Sequence, residues 1–465
     1  MSAIIPCHGG VEDTRECVRA LQAQRAAPPL EIIVVDNASP DATGGLDREF
    51  PGVRVVRLPR NRGFAGGVNA GLRAARGDHL LVINNDTRAA PGLVARLVRA
   101  LESDAGIGAV APVSNHVKGA ARIEIGGAGA SPEGGAEIEA MLDQHCAGKL
   151  QDVLTLSGLC FLLTRRVLDR VGLLDERFGI GTFEDDDFSL RLRLLGERLV
   201  LVRDAFLHHH GHRTFQALGQ TLKEVMQDKR ELFEQKWRPH AAGRAAIALM
   251  RGHSGLAAEH ATAALRETPR WPDAHWIVGW RAANTGAVDV AQAHLGAFIA
   301  ACPQHGEARV LLALAQLRSG DAGGRARLAT ALRECFFTEA EAADAIGGLA
   351  KVLVVTGSPT EALAPLANAL ELAPEHGQLL NLRGAALLEL GRVGEALPCF
   401  ERAHEVGCLE AATNIGVCHW RLGRRREGLE QLHRAVQDAP QDPAAQRNLA
   451  AALSELREAG VVTPT

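Results

Sequence analysis

The chain changes its structural period partway along. From residue 2 to about residue 210, short β-rich runs alternate with helical stretches: SAIIPC, a helix over 11–24, LEIIVVD, VRVVRL, a helix over 65–76, then HLLVIN. Strands alternating with helices at these lengths build βαβ units and a mostly parallel sheet, which binds ligands at the C-terminal ends of its strands. After Trp237-Arg238-Pro239-His240 the strand signals stop, and alanine and leucine dominate. One hydrophobic core stops growing near roughly 250–300 residues. A chain of 465 residues with this break is therefore expected to form an α/β domain over 1–238 and an all-α domain over 239–465.

The second half repeats. Pro269 and Pro303 are 34 residues apart, as are Gly252 and Gly286, Gly357 and Gly391, Ala362 and Ala396, and Ala369 and Ala403, while Gly391 to Gly423 is a step of 32. The cleanest unit is PEHGQLLNLRGAALLELGRVGEALPCFERAHEV, residues 374–406. A period near 34, with a glycine closing one helix and small alanines inside the next, resembles the tetratricopeptide repeat. The expectation is an all-α solenoid of about six helical hairpins, those around 325–345 and after 440 being degenerate.

Composition narrows the function classes. With 46% hydrophobic and 23% charged residues, both domains can bury a core. A formal charge of −4 and a pI near 6.5 supply no basic surplus, so no nucleic-acid partner is expected. Nine cysteines lie scattered from Cys7 to Cys418 without a C-x-x-C pair, as expected of reduced thiols in a cytoplasmic protein. MSAIIPCHGG has neither the basic start nor the apolar length of a signal peptide, and no apolar run approaches the ~18 residues of a membrane span.

Several polar clusters interrupt the first half. Asp36 ends a strand in VDNAS, where an Asx-turn and a ligand contact are both open readings. The segment from Asn61 to Gly71 is rich in glycine and opens a helix, so its N–H groups could cradle a phosphate, yet it fits neither the P-loop nor the dinucleotide spacing. LLVINNDT stops a buried strand on Asn84-Asn85-Asp86. Glu184-Asp185-Asp186-Asp187 opens another helix, where acids are favoured by the helix dipole alone. His208-His209-His210-Gly211-His212 follows a strand. The stretch GGAGASPEGG suits a mobile acceptor loop or a linker equally.

Taken in order, SAIIPCHGG, EIIVVDNAS, NRGFAGGVNAGLRAARGDHLLVINNDT, SGLCFLLTRRVLDRVGLLDERFGIGTFEDDDFSLRLRLLGERLVLV and HHHGHRTF resemble the inverting family 2 glycosyltransferases, most of all the rhamnosyltransferase-like and galactofuranosyltransferase-like branch. The resemblance spans roughly residues 2–215 and implies a GT-A fold, Rossmann-like with a mostly parallel sheet. It implies that Pro6 and Asp36 line the nucleoside pocket, that Asn69 lies near the nucleotide, and that Gly158 passes near the donor sugar. Asn84-Asn85-Asp86 falls where the family has D-x-D, so Asp86 is expected to hold a divalent cation, Mn²⁺ or Mg²⁺, with Asn84 and Asn85 beside the nucleotide-sugar. Mn²⁺ and Mg²⁺ prefer oxygen ligands and complete their shell with phosphate and water.

The same resemblance makes Asp185 the catalytic base, with Glu184 at the donor. It makes His208 the ligand that completes the metal shell, His209 being the reserve. Cys160 is read as packing, because a single displacement needs no covalent intermediate. The expected activity is metal-dependent, inverting transfer of a sugar from a nucleotide-diphosphate sugar to an acceptor hydroxyl on a protein or surface glycan. The repeats would recruit the acceptor or a protein partner, and the array equally suits a homodimer. The competing reading is a repeat-based interaction scaffold carrying an inactive transferase-like domain.

Overall fold

The computed structural model describes residues 1–117, 119–123, 134–179, 181–211, 222–269, 271–321, 323–335, 342–344, 347, 350, 351, 353, 354, 359–439 and 441–458. GGAGASPEGG, His212 and parts of the degenerate repeats lie wholly or mostly outside these residues.

In the first half, the strands are β1 (Ser2–Cys7), β2 (Glu31–Asp36), β3 (Val53–Arg57), β4 (His79–Ile83), β5 (Thr87–Ala89), β6 (Ile107–Ser114), β7 (Leu150–Val153), β8 (Cys160–Thr164) and β9 (Arg198–His209). Between them run α1 (Val11–Gln22), α2 (Gly63–Ala74), α3 (Leu93–Glu102), α4 (Gly135–Cys146), α5 (Arg165–Val171) and α6 (Glu184–Leu194), and α7 (Leu222–Trp237) follows. Among the described residues the strands form one sheet in the order β3-β2-β1-β4-β8-β6-β9-β5, with β7 also on β9. The block β3-β2-β1-β4 is parallel throughout, as the βαβ pattern requires. Beyond it the sheet is mixed: β8 runs antiparallel to β4 and β6, and β5 and β7 run antiparallel to β9.

Alternation along β1 divides the core. Ala3, Ile5 and Cys7 pack with Cys17, Val18 and Leu21 of α1 and Leu93 and Leu97 of α3 on one face. Ile4 packs with Ile33, Val35 and Val68 and Leu72 of α2 on the other. The glycine-rich run has a packing reason here. A Cβ on Gly71 would sit 2.2 Å from Ile4 Cγ2 and 3.0 Å from Val35 Cγ2, so α2 lies directly on the sheet. Gly71→Ala is accordingly expected to destabilise the fold by about 1–3 kcal/mol, the usual cost of overpacking. An unchanged denaturant midpoint would show that α2 can shift at no cost.

The helical region begins with α8 (Ala241–Met250), α9 (Ser254–Glu267), α10 (Pro272–Thr285) and α11 (Val288–Ala301). The compact units do not divide at residue 238. Met1–Ala245, Glu259–Gly279 and Gln292–Leu312 form one unit; Ala246–Ala258, Trp280–Ala291 and Ala313–Thr465 form the other. Buried polar contacts in the first unit run across residue 238. Arg193 of α6, 1% exposed, donates from Nε to Asp273 Oδ1 at 2.8 Å and from Nη1 to Cys302 Sγ at 3.3 Å. Asp152 of β7 accepts from the backbone N–H of Gln304 at 2.7 Å. These partners lie beyond residue 238, where alanine-rich composition hides them.

The second unit includes α12 (Gly306–Arg318) in part, α13 (Gly324–Cys335), α14 (Pro359–Leu372), α15 (Gly377–Glu389), α16 (Val393–Glu405), α17 (Ala411–Arg421), α18 (Arg425–Asp438) and α19 (Pro443–Glu458). The hairpins turn as the repeat spacing predicts. Gly391 and Gly423 carry φ of 73° and 79°, left-handed values that L side chains adopt rarely, and each follows the C-cap leucine of its helix, Leu390 or Leu422. Ala396 and Ala403 of α16 are fully buried, so small side chains fill the crossing as expected. Among the described residues no helix is long and apolar enough to cross a membrane.

Candidate active site

Strands β1, β2 and β4 run parallel, so Cys7, Asp36 and Ile83 end on one edge of the sheet. Asp36 is buried, and its Oδ1 accepts from the Ser39 N–H at 2.8 Å, the bond of an Asx-turn. Its Oδ2 faces Gly44, where a Cβ would approach to 2.8 Å. Pro6 is buried inside β1 opposite Val35. Asn37, which the sequence did not single out, ties this edge to the glycine-rich segment: its Oδ1 accepts from Arg62 N–H at 2.8 Å and its Nδ2 donates to Gly63 O at 2.9 Å.

Asn69 is 1% exposed, and both ends of its amide are occupied. Nδ2 donates to Leu174 O at 2.8 Å and Glu176 Oε1 at 3.1 Å, while Oδ1 accepts from Leu174 N–H at 3.0 Å. Its work is to pin the 174–176 segment onto α2.

At the end of β4 the three polar residues part company. Asn85 Nδ2 donates to Gly9 O at 3.2 Å and Thr14 Oγ1 at 3.0 Å, bracing the turn between β1 and α1. Asn84 Oδ1 is buried without a hydrogen-bond partner among the described residues. Asp86 is buried with its Oδ2 3.3 Å from His209 Nε2. Burial pushes the Asp86 carboxyl up, but the hydrogen bond and charge of His209 outweigh it and hold the group below its ordinary value. The opposite balance raises His209, whose burial favours the neutral ring but whose contact with Asp86 prevails.

The histidine beside Asp86 is His209, and strand alternation separates its ring from that of His208. In the β5–β9 ladder Thr87 is opposite His209 and Arg88 opposite His208, so successive histidines project to opposite faces. The His208 ring packs against that of His210, centroids 5.0 Å apart. His209 Nδ1 lies 2.5 Å from the carbonyl oxygen of His116, an acceptor, so Nδ1 carries a proton and Nε2 is the nitrogen left to face Asp86. A histidine ligand oriented by a carbonyl on its far nitrogen is a recurrent metal-site arrangement.

These donors fit a hard divalent cation. Asp86, His209 and the orphan Asn84 Oδ1 offer one charged oxygen, one imidazole nitrogen and one neutral oxygen. Among the described residues no group of three or more His, Cys, Asp or Glu could hold a metal.

The acidic helix α6 is launched from an unusual turn. Thr182 and Phe183 have φ of 72° and 67°, left-handed in two successive non-glycine residues. Glu184 is buried, and Oε2 has no hydrogen-bond partner among the described residues. Burial, and then the neighbouring Asp185 charge, push its carboxyl well above the ordinary range. Asp185 is half-buried, and its Oδ2 accepts from the Gly158 N–H at 2.9 Å. Leu159 O in turn accepts from the Asn84 N–H at 2.9 Å. The dipeptide Gly158-Leu159 thus joins the end of β4 to the start of α6. Cys160 is buried at 2% exposure with its thiol pushed up by burial, as a packing residue would be.

A family model for glycosyl transferase family 2 matches residues 2–169, and a tetratricopeptide repeat model matches residues 348–406. The chain is similar to YfnE of Bacillus subtilis (strain 168), named an uncharacterized glycosyltransferase, with 36% identity over 107 residues, 22% of this chain and 27% of that protein. It is also similar to the succinoglycan biosynthesis protein ExoO of Rhizobium meliloti (strain 1021), with 39% identity over 85 residues, 17% of this chain and 24% of that protein. The chain spans about a quarter of the length of these relatives. Among solved structures, the mannosyltransferase PcManGT from Pyrobaculum calidifontis in complex with GDP-Man and Mn²⁺ is 17% identical, covering 79% of this chain and 86% of that one at a TM-score of 0.36. Residues 2–169 thus carry a glycosyl transferase family 2 domain, and tetratricopeptide repeats follow at residues 348–406.

Proposed function

We propose that the protein transfers a sugar, with inversion, from a nucleotide-diphosphate sugar to an acceptor hydroxyl on a protein or surface glycan. The observation that carries this reading is the Gly158-Leu159 link. Its two backbone groups tie Asp185 to the strand end bearing Asn84 and Asp86, so a candidate base and a candidate cation site share one rigid support. Asp185 takes the acceptor proton as the hydroxyl oxygen attacks the anomeric carbon, and the bond from that carbon to the diphosphate oxygen breaks. Glu184, biased towards its protonated form, adds no second full charge beside the base.

Asp86 and His209 are the residues that would hold Mn²⁺ or Mg²⁺, and the unpartnered Asn84 Oδ1 at the same strand end is a further neutral oxygen donor. Bound there, the cation would neutralise charge on the departing diphosphate. With Asp185 as base, one displacement at the anomeric carbon completes the transfer without a covalent intermediate, in the manner of the rhamnosyltransferase-like and galactofuranosyltransferase-like branch. The repeats suit recruitment of a protein acceptor or partner, or self-association.

Incubation with Mn²⁺ and a panel of UDP-, dTDP- and GDP-sugars, scored for hydrolysis, tests the activity. No turnover of any donor, together with capture of a protein partner through the repeats, would favour the scaffold reading. A companion titration follows nucleotide binding with and without Mn²⁺. Asp86→Ala is expected to erase the metal-dependent part of the affinity, and His209→Ala to weaken it by about 10–100-fold. His208→Ala is expected to have the smaller effect; the reverse ranking would transfer the ligand role to His208.

A further inference from the structure

The acidic helix α6 has a second buried carboxylate that the proposed chemistry leaves unused. Asp187 is fully buried, two residues beyond Asp185. Its Oδ1 accepts from Trp237 Nε1 at 2.9 Å and lies 2.5 Å from Lys236 Nζ; its Oδ2 accepts from Arg191 Nε at 2.9 Å. Lys236 Nζ also reaches Asp175 Oδ2 at 2.8 Å. Two of the three donors therefore come from the last two residues of α7. The same helix supports the left-handed turn ahead of the acids, because Phe233, one turn before Trp237, packs its ring against Phe183 at a centroid distance of 5.8 Å.

Two successive non-glycine residues in the left-handed region persist only where surrounding contacts over-determine them. At this site the contacts are identifiable. Phe233 covers the Phe183 ring from outside, and the Asp187 N–H donates back to Phe183 O at 3.0 Å from inside the helix. Without α7, Asp187 would be a buried charge with one remaining cation, and the turn would lose its cover. We infer that Lys236 and Trp237 are positioning residues: by gripping Asp187 they fix the first turn of α6, and so the place of the Asp185 carboxylate against Gly158. The inference rests on Asp185 being the base only for its catalytic consequence; the grip itself can be tested without that assignment.

Trp237→Phe keeps an aromatic ring in the packing and removes the Nε1 donor. In the full chain it should lower kcat about 10-fold or more while the KM for the donor that the wild type turns over changes by less than about twofold, because a small displacement of a reacting group costs rate before binding. The thermal midpoint should remain close to that of the wild type. Asp187→Asn, which keeps an acceptor oxygen but loses the charge paired with Lys236 and Arg191, should also lower kcat, and the double variant should lose less than the product of the two single losses, since both substitutions act on the same carboxylate cluster. Hydrogen exchange read on peptides covering 181–190 should accelerate about 10-fold in Trp237→Phe and stay unchanged in the sheet peptides. Wild-type kcat in a folded Trp237→Phe variant would overturn the positioning role, as would parallel losses in kcat and donor binding. If the wild type turns over no donor, the transfer reading fails, and hydrogen exchange decides the grip alone: unchanged exchange over 181–190 overturns it.

Discussion

Asp185→Asn is expected to lower turnover by about 10²–10⁴-fold, the range over which a positioned general base contributes, while nucleotide binding in Mn²⁺ changes by less than about twofold. The asymmetry follows from the connections of the residue. Asp185 accepts from the Gly158 and Asp186 N–H groups, and an asparagine can still accept through its amide oxygen, so the local fold has a way to survive. What the amide cannot do is take a proton from a hydroxyl. The cation and diphosphate are assigned to Asp86 and His209, which the substitution does not touch. Single-turnover rates alongside nucleotide titrations would separate the two effects. Turnover near that of the wild type would sink the base assignment, and a matching collapse of nucleotide binding would show Asp185 to be part of the donor site. Glu184→Gln makes a useful contrast. The group is buried and already biased towards its protonated form, so the neutral amide should be tolerated far better than the change next door.

What the sequence could and could not reveal follows from the range of each interaction. Strands β1, β2 and β4 were legible because their apolar runs are continuous and end abruptly on polar residues, a signal contained in a few neighbouring positions. The repeat turns were legible because the left-handed conformation at Gly391 and Gly423 leaves its mark as a periodic glycine. The bonds of Asn69 to the backbone of Leu174, 105 positions further on, leave no local mark, because an asparagine in a glycine-rich helix looks the same whatever it meets. The contact of His209 with Asp86 has a related origin. In a run of three histidines the local sequence does not say which ring meets a carboxylate 123 positions away, and the register that separates the rings is a property of two strands. The grip of Trp237 on Asp187 spans 50 positions and has no local signature at all.

Long-range polar contacts equally invisible in the local sequence run across residue 238, and Asp273→Ala measures what lies beyond it. Arg193 is 1% exposed, and its guanidinium has Asp273 as its carboxylate partner with the Cys302 sulfur as a second acceptor. Removing the carboxylate leaves a buried charge with a weak acceptor only. Breaking a buried pair from one side costs about 3–5 kcal/mol, enough to remove a large part of the stability of an ordinary domain. Denaturant unfolding of the full chain should show this as an earlier transition. The double variant Arg193→Met, Asp273→Leu should recover much of the loss, since an apolar pair of similar bulk carries no unpaired charge. A chain ending at residue 238 lacks Asp273, Cys302 and Gln304 together, so it should be less stable than Asp273→Ala. Wild-type stability in that truncated chain would show that the first helical hairpins are dispensable to the sheet. Loss of its fold would make them a structural part of the transferase domain, which then extends into what the repeat pattern alone assigns to a separate array.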